Sequence, residues 1–393
     1  VTQLDPNRLR TWIAEHIGEI IDVRHEIHAH PELGFDTPLT VHALRTPLVA
    51  AGLTPVDFPG GIYVDIGDPG EQPRVGLRAD IDALPLPETT DLPWASVFEG
   101  RSHACGHDVH AAVALGAALA LASQPALPGA VRVIFQPAEE TLGGARTVVE
   151  QGILDPLEQV FALHCEPHAE VGVLGTRLGA ITSACDYLEI RLRGSGGHTA
   201  RPHLTADIIN AMGRVVTELP AMLSRRCDPR AGMSMVFGSA HAGVAANAIP
   251  AEGTLTGTLR VLSMDEWRGA EKLVREIVES VVAGTGASLE MDYEPGVPPV
   301  HNDVESHLVL RHAMASVVGE SSVYTPEQSL GGEDFAWYGE KTKIALGRLG
   351  VRRPGTPITD LHQGGFVADD AAIEIGIATL AHAAVGALAT SER

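Results

Sequence analysis

The chain has 393 residues, with 50 Asp and Glu against 28 Lys and Arg, and a formal net charge of -22 at pH 7. That length exceeds what one hydrophobic core usually organises, so two domains are expected, and the charge would repel nucleic acid and anionic lipid. The composition, 45% hydrophobic, is globular, and the small-apolar stretches 111–122 and 375–390, the latter containing His382, read as too short or too polar to span a bilayer.

The opening VTQLDPNRLRTWIAEH lacks the basic patch and apolar run of a secretory signal, and four cysteines make no disulfide framework. A reduced, cytoplasmic setting is expected. A helix is predicted over 7–29, where Leu9, Ile13, Ile17, Ile20, Ile21 and Ile27 return to one face, and His30-Pro31 ends it. Strand and helix patterns then alternate. Short buried strands at 75–79, 131–135 and 160–163 are separated by an Ala-rich helix at 109–122 and a second helix near 145–150, the grammar of a parallel α/β sheet.

From about Asp186 the pattern changes, with Leu188, Ile190 and Leu192 alternating with Glu189, Arg191 and Arg193 as in a strand wet on one face. Helix (204–219), strand (233–237), strand (254–261), helix (265–282) and strand (288–293) follow, the βαββαβ order of a small ferredoxin-like domain. EPGVPPVHND closes that domain; helix, strand (343–349) and a long C-terminal helix (369–389) resume the first style. The simplest account is an α/β domain with a small domain inserted in it.

The sharpest local feature is HACGHDVH at 103–110, where Cys105 and His107 stand at the mouth of the Ala-rich helix. Thiolate and imidazole suit a borderline-soft divalent ion, although a buried thiol beside a satisfied histidine fits the same residues. In FQPAEE a strand runs out into adjacent Glu139 and Glu140. Ligands of open α/β sheets bind beyond the carboxyl ends of the strands, and a solvated acidic loop is the alternative. Other strands end in Leu163-His164 and in Arg78-Ala79-Asp80-Ile81-Asp82, so His, Asp, Glu and Cys converge on strand ends. His362 in TDLHQGG is the remaining candidate.

In this order, HEIHAHPELGF, RADIDALP, HACGHDVH, FQPAEE, ALH, GGHTARPH, NAIPAEGTLTGTLR and GGEDFAWY resemble the M20 metallopeptidase family. The likeness spans roughly 24–362 and is greatest to the amidohydrolase branch of hippurate hydrolases, N-acyl-amino-acid amidohydrolases and plant auxin-conjugate hydrolases. It implies an α/β, zinc-exopeptidase-like catalytic domain, with a mixed or mainly parallel sheet flanked by helices, from 1–184 and 297–393. An inserted ferredoxin-like lid and dimerisation domain at 185–296 is implied as well.

The resemblance also implies roles. Cys105 matches the ligand bridging two divalent metals, where peptidase branches carry aspartate; His107 and Glu140 complete one metal, and His164 and His362 lie around the pair. Glu139 matches the catalytic base, and Asp80 the acid that fixes a ligand histidine. Arg78 stands where those branches have a histidine ligand, which passes that role to His107 and leaves the partner of Asp80 open. His198 matches a lid histidine that stabilises the oxyanion, in related proteins from the neighbouring subunit. Asn247 and Arg260 match residues that hold the substrate carboxylate. Gly331, Gly332 and Glu333 resemble a substrate-side loop without assigned chemistry, and His25, His28 and His30 read as a structural helix end.

The implied reaction is cleavage of an N-acyl amino acid to a carboxylic acid and a free amino acid, by water activated on two divalent ions with Glu139 as base and then acid. Zn²⁺ or Mn²⁺ are the expected ions, with Co²⁺ or Ni²⁺ as alternatives. A homodimer or dimer of dimers is implied, with no nucleic-acid or membrane partner. A dipeptidase or carboxypeptidase of the same family, or a metal- or ligand-binding protein without catalysis, are the competing readings. The chain contains neither G-x-S-x-G nor GxxxxGK[ST], which removes the serine-hydrolase elbow and the P-loop.

Overall fold

Asp5 caps the first helix, α1 (Pro6–Ala29), its carboxylate accepting the Asn7 and Arg8 N–H groups, while Pro6 occupies a first-turn position that needs no donor. Leu9, Ile13, Ile20 and Ile27 are buried as the periodicity predicts, and so is Arg24 on the same face. The structure, a computed structural model, describes residues 5–68 and 70–390.

Three elements follow that periodicity does not signal: α2 (Pro38–Ala50), β1 (Val56–Phe58) and β2 (Gly61–Ile66). α2 buries Thr40, Leu44 and Leu48 at every fourth residue but begins on Pro38 and contains Pro47, so proline masks a short helix. The first unit continues through β3 (Pro73–Asp80), α3 (His107–Ala122), β4 (Ala130–Gln136), α4 (Gly144–Glu150), β5 (Gln159–Glu170), β6 (Leu174–Thr176) and β7 (Gly179–Ala180). After Ile181 the chain enters a second unit, Thr182–Val300.

That second unit contains β8 (Ala184–Arg193), β9 (Gly197–His198), α5 (Ile208–Arg226), β10 (Ser234–Ala242), β11 (Ala248–Ile249), β12 (Glu252–Val261), α6 (Met264–Val282) and β13 (Ser288–Val297). Its four-stranded sheet has the order β10-β12-β8-β13, antiparallel throughout, and α5 and α6 share one apolar core with it. This is the strand order of a ferredoxin-like βαββαβ unit. α5 starts at Ile208, four residues after the predicted start, because the Asp207 carboxylate caps Asn210, and it runs on to Arg226. The segment Gln328–Glu333, beyond the predicted insertion, clusters with this unit. Backbone hydrogen bonding of Ser183 to Ser329 and of the Ser183 hydroxyl to the Leu330 carbonyl holds it there.

The first unit resumes with β14 (His301–Asn302), α7 (Val304–Val318), β15 (Val323–Tyr324), β16 (Lys343–Arg352) and α8 (Ala371–Thr390). Its eight-stranded sheet has the order β1-β2-β4-β3-β5-β16-β6-β15. The central β4, β3, β5 and β16 are parallel, and β1, β2 and β6 add antiparallel pairings. β4 is buried along its whole length, as a strand covered on both faces should be. β5 outruns its predicted end at Leu163 because β16 continues to pair with it beyond His164.

α8 differs from expectation: among the described residues it is the one helix long and apolar enough to cross a bilayer by length and composition, with 67% of that stretch buried in the protein. Its apolarity serves packing. A Cβ on Gly116 of α3 would come within 2.3 Å of Ile377 of α8, and one on Gly376 within 2.6 Å of Val113, so two glycines let these helices approach closely.

Candidate metal centre

The candidate side chains come from a strand, a helix start and loops: His164 lies within β5, His107 begins α3, and Cys105, Glu139, Glu140 and His362 are on connecting segments. Gly106, with φ +82°, opens α3, and a Cβ there would meet the Cys165 sulfur at 2.7 Å. Glycine therefore lets Cys105 and His107 cross closely over β5. After β4, Ala138 adopts φ +57°; its carbonyl accepts the Gly143 and Gly144 N–H groups and its own N–H donates to Gly34. His362 is also left-handed, at φ +59°, and its N–H donates to the Ala104 carbonyl, 2.8 Å away. Such conformations cost non-glycine residues on the order of 1–3 kcal/mol and cluster where side chains must be aimed.

Cys105, His107, Glu139 and His164 are buried, Glu140 is half-buried and His362 is exposed. The donor atoms of Cys105, His107 and His164 lie within 4.8 Å of one another, as do those of Cys105, Glu140 and His362 and those of His107, Glu139 and Glu140. Cys105, His107 and Glu140 each belong to two of these groups, so the three sets form one continuous cluster. Its sulfur is 3.7 Å from His164 Nε2. Glu140 Oε1 is 3.8 Å from His107 Nε2 and 3.6 Å from His362 Nε2, and Glu139 Oε2 is 3.9 Å from His107 Nε2. The nitrogen–oxygen separations exceed hydrogen-bond length.

The residues fit a cation. His107 Nε2 and Glu140 Oε1 are buried without a hydrogen-bond partner, although such groups are normally satisfied. The opposite nitrogens are committed: His107 Nδ1–H donates to the Asp82 carbonyl and His164 Nδ1–H to the Cys165 carbonyl, each at 2.8 Å. Both rings are therefore fixed with Nε2 toward the cluster, the usual arrangement of ligand histidines. Burial pushes the Cys105 thiol up and the His164 imidazole down, leaving His164 neutral with its Nε2 lone pair turned toward the Cys105 thiol. His107 is raised despite its burial, chiefly by the Asp80 carboxylate. The cluster favours positive charge.

Several side chains that complete the site went unassigned from sequence. The Asp82 carboxylate receives the Glu139 N–H on Oδ1 at 2.9 Å and the Glu140 N–H on Oδ2 at 3.2 Å, so one residue orients His107, Glu139 and Glu140. Asp80, expected to fix a ligand histidine, is hydrogen-bonded by His110 Nδ1 and Arg78 Nη1, and its carboxylate is 3.8 Å from His107 Nε2. The Asp334 carboxylate accepts from Arg78, Gln136 and the Ala145 amide, while its own N–H approaches Glu139 Oε1 at 3.4 Å. The acidic residues of RADIDALP and GGEDFAWY were visible in sequence; their partners were not. The histidines ending α1 join other networks: His28 donates to Asp108 and Glu88, and its imidazole is raised to about 9 against its burial, chiefly by Asp108. His25 stacks on Trp94.

The remaining candidates lie in the second unit. His198, exposed on β9, accepts the Ala200 N–H at Nδ1; Asn247 accepts the Thr199 N–H at its carbonyl, so these two loops are tied together. Arg260 sits on β12 between Ser234 of β10 and Cys185 of β8, and its Nη1 donates to the Leu330 carbonyl at 3.0 Å.

Residues 76–385 match the model of peptidase family M20/M25/M40. N-acetylcysteine deacetylase of Bacillus subtilis is 35% identical over 94% of this chain and 97% of its own length. A Rhodococcus jostii protein carrying the name glutamate–cysteine ligase 2-3 is 45% identical over 96% of this chain, which spans 46% of that relative. Among solved structures, a Bacillus subtilis protein described as a dinuclear metal binding peptidase from the M20 family superposes with a TM-score of 0.83 at 32% identity, covering 96% of this chain and 99% of its own.

Proposed function

The chain belongs to peptidase family M20/M25/M40, and from that premise we propose that it cleaves N-acyl amino acids to a carboxylic acid and a free amino acid. It is a metal-dependent amidohydrolase. The observation that carries the proposal is the geometry around Cys105: two sets of donor atoms share its sulfur, and Glu139 lies against His107 in a third.

Cys105, His107, Glu140, His164 and His362 would hold two divalent ions, Zn²⁺ or Mn²⁺ as first choices and Co²⁺ or Ni²⁺ as alternatives. Bound there, the ions supply Lewis acidity, which acidifies water and polarises an amide carbonyl. Glu139 takes the proton from the attacking water and returns it to the leaving amine. Asp82 holds the Glu139 backbone N–H, and the Asp334 amide approaches the Glu139 carboxylate itself. His198 stabilises the developing oxyanion, and Asn247 and Arg260 receive the substrate carboxylate. All four cysteines are free and buried, which supports a reducing, cytoplasmic setting.

The testing experiment is hydrolysis of acetyl, benzoyl, long-chain acyl and indole-acetyl amino acids, beside dipeptides, by metal-replete protein. Amidating the substrate carboxylate leaves the scissile bond untouched but removes the charge that Arg260 would meet. kcat/KM should then fall roughly tenfold to a few hundredfold, the equivalent of about 1.5–3 kcal/mol for a charge-assisted hydrogen-bond pair. Arg260→Ala should narrow that gap by weakening only the free acid; equal turnover of free and blocked substrates by the unaltered protein would widen the substrate class to simple amides.

We place His198 at the site of a partner protomer in a homodimer. Mixing the inactive variants His198→Ala and Glu139→Gln should then recover part of the activity, because one hybrid site receives both an intact histidine and an intact base. Sedimentation as a monomer, with no recovery on mixing, would confine His198 to its own protomer.

A further inference from the structure

His110 lies three residues after His107, and its ring is buried 5.3 Å from that of His107 and 4.9 Å from that of His164. Asp80, His107 and His110 also bring donor atoms within 4.8 Å of one another, so distance alone would make His110 a metal ligand. Its hydrogen bonds say otherwise. Nδ1–H donates to Asp80, and Nε2 accepts the Cys165 N–H at 2.8 Å. A nitrogen that accepts an amide proton carries none, so the ring is held as the Nδ1–H tautomer with neither lone pair left for an ion.

The same Cys165 residue serves His164: its N–H is held by His110, and its carbonyl accepts His164 Nδ1–H at 2.8 Å. On the other side, the Asp80 carboxylate is anchored by Arg78, whose remaining guanidinium nitrogens donate to Gln136 and Asp334. Arg78, Asp80, His110 and Cys165 are all buried.

We infer that His110 is a positioning residue for the metal centre, which fixes the Cys165 backbone and through it the orientation of the His164 ring. The inference rests on the metal-centre reading above. It separates the two nitrogens of His110. Asn at this position can keep a donor to Asp80 but lacks the reach to accept from Cys165, whereas Gln can accept from Cys165 and gives up the bond to Asp80. Only the Cys165 bond acts on His164.

The experiment is a Co²⁺ titration of metal-free protein, with chelator competition and the visible absorption of the bound ion as readouts. The unaltered protein should take up two ions. His110→Asn should weaken one of them by about 10–100-fold, the usual effect of losing an outer-shell partner, and change its spectrum, while His110→Gln should stay close to the unaltered protein. Equal weakening in both variants, or none in either, overturns the inference. Failure of the unaltered protein to bind Co²⁺, Zn²⁺ or Mn²⁺ instead removes the metal-centre reading. If His110→Asn does not fold, the ¹⁵N spectrum of the unaltered, Zn²⁺-loaded protein decides: a His110 ring protonated on Nδ1 with unligated Nε2 supports the inference, and any other state overturns it.

Discussion

Glu139→Gln should yield a folded protein that keeps its metal and turns over about 10²–10⁴-fold more slowly, the range expected when a positioned general base is lost. Glutamine preserves shape and can still accept the Asp334 N–H that approaches Glu139 Oε1, but its amide cannot carry a proton from water to amine. The neighbouring residue should respond differently. Glu140 Oε1 is buried without a hydrogen-bond partner and lies 3.6 Å from His362 and 3.8 Å from His107, so Glu140→Gln should lower metal content as well as turnover. Both Glu backbones hang on the single Asp82 carboxylate, and the substitutions leave those amide bonds untouched. Elemental analysis beside steady-state kinetics checks the contrast; equal metal loss in the two variants would exchange or abolish the assigned roles.

Removal of the metals should abolish activity altogether, and titration with divalent ion should restore it, reaching its plateau at two ions per chain. The ligand set comes from four separate stretches of the chain, at 105 and 107, 140, 164 and 362, and only folding brings them together. The sign of the pH dependence follows from the proton states. Burial raises the Cys105 thiol, and the Asp80 carboxylate raises His107 against its own burial, so both hold protons in the metal-free protein near neutral pH. An incoming ion must displace them, and affinity should therefore rise with pH while binding releases protons. Calorimetry in buffers of different ionisation enthalpy measures that release. Full activity in a preparation shown to contain no metal would end the reading.

The two folding units differ in how much of each was legible beforehand. Alternation in LEIRLR identifies β8 because the strand has one wet face, and the order of helices and strands after it suffices for βαββαβ. In the first unit the apolar runs of β3, β4 and β5 mark buried strands, but their ends depend on which neighbour continues to pair: β5 extends to Glu170 because β16 runs beside it. α2 was hidden by its prolines, and the apolarity of α8 acquires its meaning from the glycines that seat it against α3.

The site divides along the same line. Motif order along the chain was enough for the family, the cysteine, the paired glutamates and the histidines that could serve as ligands. It assigned His107 as a ligand and gave His110, on the first turn of the same helix, no role. The folded chain shows how their ring nitrogens differ. His107 spends Nδ1 on the Asp82 carbonyl and leaves Nε2 without a hydrogen-bond partner, whereas His110 spends one nitrogen on Asp80 and the other on Cys165. A residue type and its place on a helix are local properties of sequence. The partners of these ring nitrogens come from residues 25 to 55 positions away, and they determine which nitrogen is left to face an ion.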